Sequence, residues 1–390
     1  MLGLLGAFLA CAPGAGAHSF APRSGRVLAG LTGGTSIRRY ERIVRKHPAV
    51  FETFTTWNTP TGWLADPDSS FRARLALHIS TSAGYGKRGV ISPEGIALGR
   101  SDRFLVSLNR NLVRSGRIVY VRLMAEMNGY WNAYAAFNAD GSSRGRQSSP
   151  RSYIAAWRRT VTILRGGRVG RINRRLRALG LPRLRAGLRS SARLRAPRVA
   201  FLWVPQDAGS PDVAANAPGA FWPGSAYVDW VGTDFYASYP NFSLLDQFYS
   251  KYAAPTGKPF VLSEWALYGA DHPSFVRALF AWVRTHPRVR MLNYYQGFSA
   301  AALPDLGRYP ASAAVLRHEL RSPRYLAYAR EYTHPQSKRP KRPRHRGQPR
   351  GTPPQSPAPP ESPPLPPSPG QPPTPPELCL PLVNLCIPGL

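Results

Sequence analysis

The chain is poor in acid: only 20 of its 390 residues are Asp or Glu, against 52 Lys and Arg. Lysine is nearly missing too, with six residues beside 46 arginines. A GC-rich coding sequence accounts for that skew more simply than a binding site does, because phosphate-binding surfaces commonly use both cations. There are three cysteines, which excludes a disulfide-dense scaffold, and no histidine adjoins them to make a metal site. Beyond the first 17 residues no apolar run approaches the ~18 residues of a membrane span, so a multi-pass membrane protein is excluded. What is left is ample for a globular fold: 43% apolar residues and enough length for two domains or one large α/β barrel with extras.

The net charge of +32 is unevenly placed. Residues 141–206 hold 17 arginines and no acid, and residues 338–350 hold seven basic residues and no acid. The other 28 basic residues face all 20 acids, so the bulk of the chain is only mildly basic. Net charge speaks to solubility and non-specific contacts. It gives no reason to expect a specific nucleic-acid partner.

The two ends read differently from the middle. Residues 1–17 form an apolar stretch closing on Ala15-Gly16-Ala17, the small-residue pattern of a secretory signal, although the basic start of such a signal is missing. Cys11 after Phe8-Leu9-Ala10 leaves lipid attachment open as an alternative. Either way the expected location is secreted or associated with the cell envelope. From Thr333 onward, 20 of the 41 prolines fall in 58 residues. Residues 333–378 therefore read as a basic, Pro-rich disordered linker, unable to pack a core. Residues 379–390 form a short closing segment whose Cys379 and Cys386 suit one small disulfide loop. The basic tail offers a contact to an anionic cell-envelope polymer.

Between residues 26 and 330, short β-branched runs alternate with longer helical patterns. Strands are expected at 27–31, 50–55, 74–79, 118–124, 199–204, 230–235, 260–263 and 289–294. Helices are expected at 36–46, 104–115, 150–164, 243–253 and 274–285, most opening near Ser or Pro. Eight strands with interleaved helices predict an α/β fold, a (β/α)₈ TIM barrel with its chemistry at the C-terminal strand ends. A doubly wound sheet is the rival. The Arg-rich segment 166–197 falls between the fourth helix and the fifth strand, so it reads as an insertion, with its own helical piece around 172–179, on the face away from the reaction.

Against so few acids, two carboxylates at strand ends stand out: Glu126 in VYVRLMAEMNGYW and Glu264 in KPFVLSEW. Such a pair is what glycoside cleavage needs, one to protonate the leaving oxygen and one to attack or stabilise the anomeric carbon. Aromatic residues crowd the same ends: Trp57, Tyr130, Trp131, Trp203, Trp222, Tyr236, Trp265 and Tyr295. Flat rings suit the CH faces of sugars, and about half of these rings are expected to be packing residues instead.

The Arg-containing strand leading into Glu-Met-Asn-Gly and then Trp resembles the acid/base motif of glycoside hydrolase family 26. FWPGSAYVDWVGTDFY at 221–236 is similar to that family's sixth-strand segment, KPFVLSEW to its nucleophile strand, and ISPEGIALGRSDRFL at 91–105 to the stretch before its fourth strand. The resemblance implies a retaining (β/α)₈ hydrolase, endo-acting on a β-linked plant-type polysaccharide, most often β-1,4-mannan, working as a monomer without metal or cofactor. Carried over by position, it implies Glu126 as acid/base, Glu264 as nucleophile, Trp131 lining the sugar site and Tyr236 orienting the nucleophile. Arg122, Asn128, Trp265 and Tyr295 complete the substrate-side set, and Asp234 is a further candidate. Family mannanases carry His before the acid/base Glu where this chain has Ala125, which bears on the choice of glycan. Two readings of other classes stay open: a barrel that binds polysaccharide without cutting it, and an anionic-polymer binding protein using the Arg-rich segment and basic tail.

Overall fold

Eight parallel strands wind in chain order around one axis. The computed structural model describes residues 19–33, 36–65, 72–82 and 88–333, together with the backbone of 378–380 and 385–387. The strands are β1 (Val27–Thr32), β2 (Val50–Thr56), β3 (Arg74–Ser80), β4 (Val119–Leu123), β5 (Val199–Trp203), β6 (Trp230–Tyr236), β7 (Phe260–Ala266) and β8 (Val289–Tyr295). Each pairs in parallel with the next, and β8 returns to β1, with Leu28 opposite Met291 and Thr32 opposite Tyr295. Closure leaves no edge and decides for the (β/α)₈ barrel over the doubly wound sheet. All eight expected strands are present, with ends displaced by at most three residues.

Helices cover the outside: α1 (Ile37–Val44), α2 (Pro93–Ala97), α3 (Asp102–Ser115), α4 (Pro150–Leu164), α5 (Val169–Ala178), α6 (Phe242–Phe248), α7 (Pro273–Thr285) and α8 (Pro310–Glu319). The predicted starts have physical causes. Ser36 Oγ accepts from the Arg39 amide at 3.2 Å, and Ser149 Oγ accepts from the Ser152 amide at 3.2 Å, one residue before a Pro that begins α4. Two helices were not legible. The single turn of α2 is too short to show a period, and α8 turns Ser312 and Ala313 inward beside Leu316, which leaves little apolar contrast. None of the helices among the described residues is long and apolar enough to cross a membrane.

The N-terminal end of the barrel is sealed. Leu28, Val50, Ala76, Tyr120, Trp230, Val261 and Met291 belong to one buried apolar cluster. The chain's flanks close over it: Trp230 Nε1 donates to Ser19 O at 2.6 Å, Tyr120 Oη to Phe20 O at 3.0 Å, and Arg74 Nε to Glu331 at 2.8 Å. Polar side chains therefore have only the C-terminal end of the strands in which to face a ligand.

The Arg-rich segment does not stay at the sealed end. It leaves α4, pairs Gly167–Arg168 antiparallel with Arg193–Leu194, forms α5, and then climbs the outer wall. Its turn is tied to the start of α3 by a buried ion pair. Arg159 Nε donates to Asp102 at 2.8 Å; Arg159 Nη1 donates to Pro182 O at 2.8 Å, and Asp102 accepts from the Arg185 amide at 2.6 Å. Two buried charges thus find their remaining partners in the segment's own backbone.

The chain divides into two compact units, 1–333 and 334–390. In the second, Leu378–Leu380 and Leu385–Ile387 form an antiparallel pair with Cys379 opposite Cys386. The expected signal at 1–17 and the Pro-rich stretch through residue 377 lie outside the described residues.

Removing one member of the Arg159–Asp102 pair leaves the other charge uncompensated inside the protein. Asp102→Ala is expected to lower the unfolding free energy by about 3–5 kcal/mol in urea titrations, and the double variant Asp102→Leu/Arg159→Met to recover most of that loss.

Candidate active site

Alternation along the strands turns residues of one parity into the barrel. Above the apolar layer this brings Glu52 from β2, His78 from β3, Arg122 from β4, Asp234 from β6 and Asn293 from β8 to one level. On β7 the period breaks: pairing with β6 skips from Leu262 to Glu264, a bulge at Ser263. Both neighbours then face the interior, Ser263 Oγ donating to Glu52 at 3.1 Å and Glu264 reaching Arg122.

Arg122 is the centre of this layer. It is 1% exposed, and its guanidinium donates to Glu52 at 3.0 Å, to Asp234 and to Glu264. Burial alone would lower its pKa, yet the charges of Asp234, Glu264 and Glu52 hold it well above the usual arginine value. Glu264 is fixed at both oxygens, because Tyr236 Oη donates to the second at 2.6 Å. Its backbone amide donates to Asp234 Oδ1 at 2.9 Å, so Asp234 braces strand β7 as well as Arg122.

Two of the three carboxyls that meet Arg122, Glu52 and Asp234, have raised proton affinity, and burial is the leading cause. Burial pushes Glu52, which is fully enclosed, up to about 7, with the charge of Glu264 adding to it against the pull of Arg122. Burial likewise lifts Asp234 well above the carboxylate range. Opposite these groups, burial and the charge of Arg122 keep His78 neutral, with both ring nitrogens lacking a protein partner.

Glu126 lies in the loop after β4. The backbone there is strained, with Met124 at φ 42° and Glu126 at φ 50°, a region that β-carbon-bearing residues seldom occupy. The strain is held by bonds around it: the Glu126 amide donates to Val204 O at 2.7 Å, and its carbonyl accepts from the Gly129 amide at 2.9 Å and Asn132 Nδ2 at 2.8 Å. The carboxyl accepts from Trp131 Nε1 at 2.8 Å and from Gln206 Nε2. A side chain at Gly129 would put its Cβ 2.4 Å from the Trp131 ring, so glycine is what lets the indole reach Glu126. Burial first, and the charge of Glu264 second, raise the Glu126 pKa.

The expected residues divide on this geometry. Glu126, Glu264, Trp131, Tyr236, Arg122 and Asp234 form one connected constellation. Arg122 binds carboxylates and is too enclosed to meet a substrate. Asn128 is fully buried and spent on the loop after β5: its Nδ2 donates to Gln206 O at 3.1 Å and Ala208 O at 3.0 Å, and its Oδ1 accepts from the Gln206 amide at 2.8 Å. Trp265 follows Glu264 on β7 and so points outward, stacking edge-on with Tyr294 and with Phe280 of α7. Tyr295 is 7% exposed at the end of β8, near Phe298. Trp57 and Trp203 are core residues, packed on Phe104 and on Phe248.

Glu52, His78 and Gln206 were missed. The signal available was parity: Glu52 and His78 share the inward phase of their strands with Val50 and Ala76. Glu52, His78 and Glu264 offer ligand atoms all within 4.8 Å of one another, a set able to hold a cation. The guanidinium of Arg122 already lies on both of those carboxylates, placing a positive charge where the ion's would act.

No family model matches the chain, and no curated protein does. Solved structures share its fold. The catalytic domain of an endo-β-1,4-mannanase of glycoside hydrolase family 26 from Bacillus sp. JAMB-750 is 14% identical over 79% of this chain and 89% of its own, with a TM-score of 0.53. A modular endo-β-1,4-mannanase of the same family from Cellulomonas fimi is 16% identical over 78% of this chain and 72% of its own, TM-score 0.53. A mannanase from Bacillus subtilis is 16% identical over 80% and 90%, TM-score 0.50.

The buried carboxyl of Glu52 has a stability signature. Its folded pKa of about 7 lies above the unfolded value, so it binds its proton more tightly when folded, and the stability this contributes is lost as pH rises through 7. Unfolding midpoints of the parent and of Glu52→Gln, measured from pH 5 to pH 8, are expected to shift steadily in favour of the variant as pH rises. A constant difference across that range would show that Glu52 does not titrate there.

Proposed function

We propose that the chain is an O-glycosyl hydrolase that cleaves β-1,4-mannan within the polymer and retains anomeric configuration. The observation that carries this reading is a division of labour between two enclosed carboxyls. Glu126 has its proton affinity raised by burial, as a general acid requires, while Glu264 has both oxygens engaged by Arg122 and Tyr236. Two carboxyls in such different settings supply an acid and a nucleophile for double displacement.

In the first step Glu264 attacks the anomeric carbon as Glu126 gives its proton to the departing glycosidic oxygen, forming a glycosyl ester on Glu264. In the second, Glu126 takes a proton from water, the hydroxide adds to the anomeric carbon, and Glu264 leaves as carboxylate. Trp131 and Gln206 keep Glu126 in line through both steps. Arg122 and Tyr236 stabilise Glu264 each time it carries charge. The imidazole of His78 lies beside Glu264 with both ring nitrogens enclosed, so it bounds the carboxylate layer rather than the sugar site. Ala125, at the position where the family mannanases carry His, is buried in the apolar cluster with Leu202 and Val204 and offers a sugar no polar group.

The choice of mannan rests on the mannanase structures that share the fold. The N-terminal stretch 1–17 and the basic tail support a secreted or envelope-associated location, with an anionic envelope polymer as the tail's contact, and the chain is read as working as a monomer.

The test is reducing-sugar release from mannan, glucomannan, lichenan and xylan. The parent is expected to be fastest on a mannan-based polymer, and Glu264→Ala to lose roughly 10³-fold or more of the rate while keeping affinity for the polymer. Activity that survives Glu264→Ala overturns the assignment, and a parent that binds but never cuts would favour the polysaccharide-binding reading.

A further inference from the structure

The climbing insertion presents a surface that the proposed reaction does not use. Between residues 168 and 195 there are ten arginines and no acid, and all ten side chains are exposed. None of them takes part in an ion pair among the described residues, although arginines elsewhere in the protein find one repeatedly: Arg39, Arg74, Arg165 and Arg284 each pair with a carboxylate. The array is also held in place. Val169, Ile172 and Leu176 bury one face of α5, which leaves Arg171, Arg174, Arg175 and Arg177 on the other. Asn173 Oδ1 accepts from the Leu184 amide at 2.9 Å, and the Arg159–Asp102 pair clamps the turn that follows.

Concentrating like charge this way costs stability, since Arg171 repels Arg174 and Arg175 at the three- and four-residue spacing of a helix. A partner that supplies closely spaced negative charge relieves that cost. The composition narrows the partner. Residues 166–197 contain no Phe, Tyr or Trp, so there is no platform for nucleobases or for the faces of neutral sugars, and the only amide side chain, Asn173, is spent on the backbone. Rigid planar forks without aromatic readers suit repeated anionic groups along a polymer. The location is consistent with this: α5 packs against α4 on the outside of the barrel rather than within the carboxylate layer around Arg122.

We propose that the α5 face is a docking surface for an acidic polysaccharide, a chain of uronate sugars whose carboxylates pair with the arginines. It would hold the protein on a mixed matrix while the barrel end works on a neutral glycan. The docking does not depend on the hydrolase reading, because it uses no residue of the carboxylate site.

Retention of the full-length protein on immobilised polygalacturonate tests this. The parent is expected to bind with an affinity that falls steeply as salt rises. Arg171→Gln, Arg174→Gln, Arg175→Gln and Arg177→Gln combined keep the helix propensity, and are expected to weaken binding at least tenfold without changing the circular dichroism spectrum or the release of sugar from soluble mannan. Glu264→Ala is expected to bind as the parent does, so a failure of the hydrolase assignment leaves this result intact. The proposal is overturned if the quadruple variant binds like the parent. It is also overturned if replacing the basic residues of 338–350 removes the binding instead, or if polyphosphate or duplex DNA is retained more tightly than polygalacturonate at equal charge.

Discussion

One guanidinium organises this barrel. Arg122 reaches from β4 to carboxylates on β2, β6 and β7, so a single side chain crosses the interior and ties strands that are far apart in sequence. A cation so enclosed is stable only while its partners surround it. The proton affinity of the carboxyls around it is set first by burial, which raises the pKa of Glu52, Asp234 and Glu126, while the charge of Arg122 pulls each of them back. The raised pKa of Glu126 is therefore a property of its enclosure and of the charge of Glu264 beside it. The local contact of the Glu126 loop works the other way, the Trp131 hydrogen bond lowering that pKa.

Holding such a layer requires exact backbone placement, and the fold supplies it through small residues and a bulge. Gly30 leaves room for Asn293, whose Oδ1 would lie 1.9 Å from a Cβ at that position, and Asn293 Nδ2 donates to Glu52 at 3.2 Å. The Ser263 bulge lets two successive residues of β7 point inward, so Glu52 and Arg122 are both served from one strand. The strained loop after β4 does the same for Glu126, lifting its carboxyl off the strand and toward Trp131 and Gln206. Each device spends local stability to fix a side chain, which the sealed apolar end of the barrel can support.

Those devices also explain what was legible in the sequence. Buried parallel strands read as continuous apolar runs, so all eight could be found, and scarce acids at strand ends pointed to Glu126 and Glu264. Glu52 and His78 were hidden because a lone polar residue inside a strand looks like ordinary alternation until the barrel closes and shows which parity faces inward. The bulge defeats parity altogether: nothing in FVLSEWA marks Ser263 as the irregular residue, and so Trp265 was placed with the substrate when it faces α7. Asn128 was misread for a related reason. Its neighbours in sequence are Glu126 and Trp131, while its partners, Gln206 and Ala208, arrive from a loop about eighty residues away. The path of the Arg-rich segment was illegible because its anchor, Arg159 with Asp102, is itself assembled from two helices.

The electrostatics of the molecule divide in a way that its net charge conceals. Inside, four carboxyls surround one arginine; outside, arginines lie along a wall with no acid among them. A neutral polymer is neither drawn nor repelled by the long-range field of a basic protein, so the excess charge cannot steer a β-glycan to the barrel. Exposed charges are in any case screened over about 10 Å at ordinary ionic strength. The two charge systems can therefore act independently. In the proposed reading the acids fix the chemistry within a few ångströms of Arg122, and the outer arginines set where in a charged matrix that chemistry takes place.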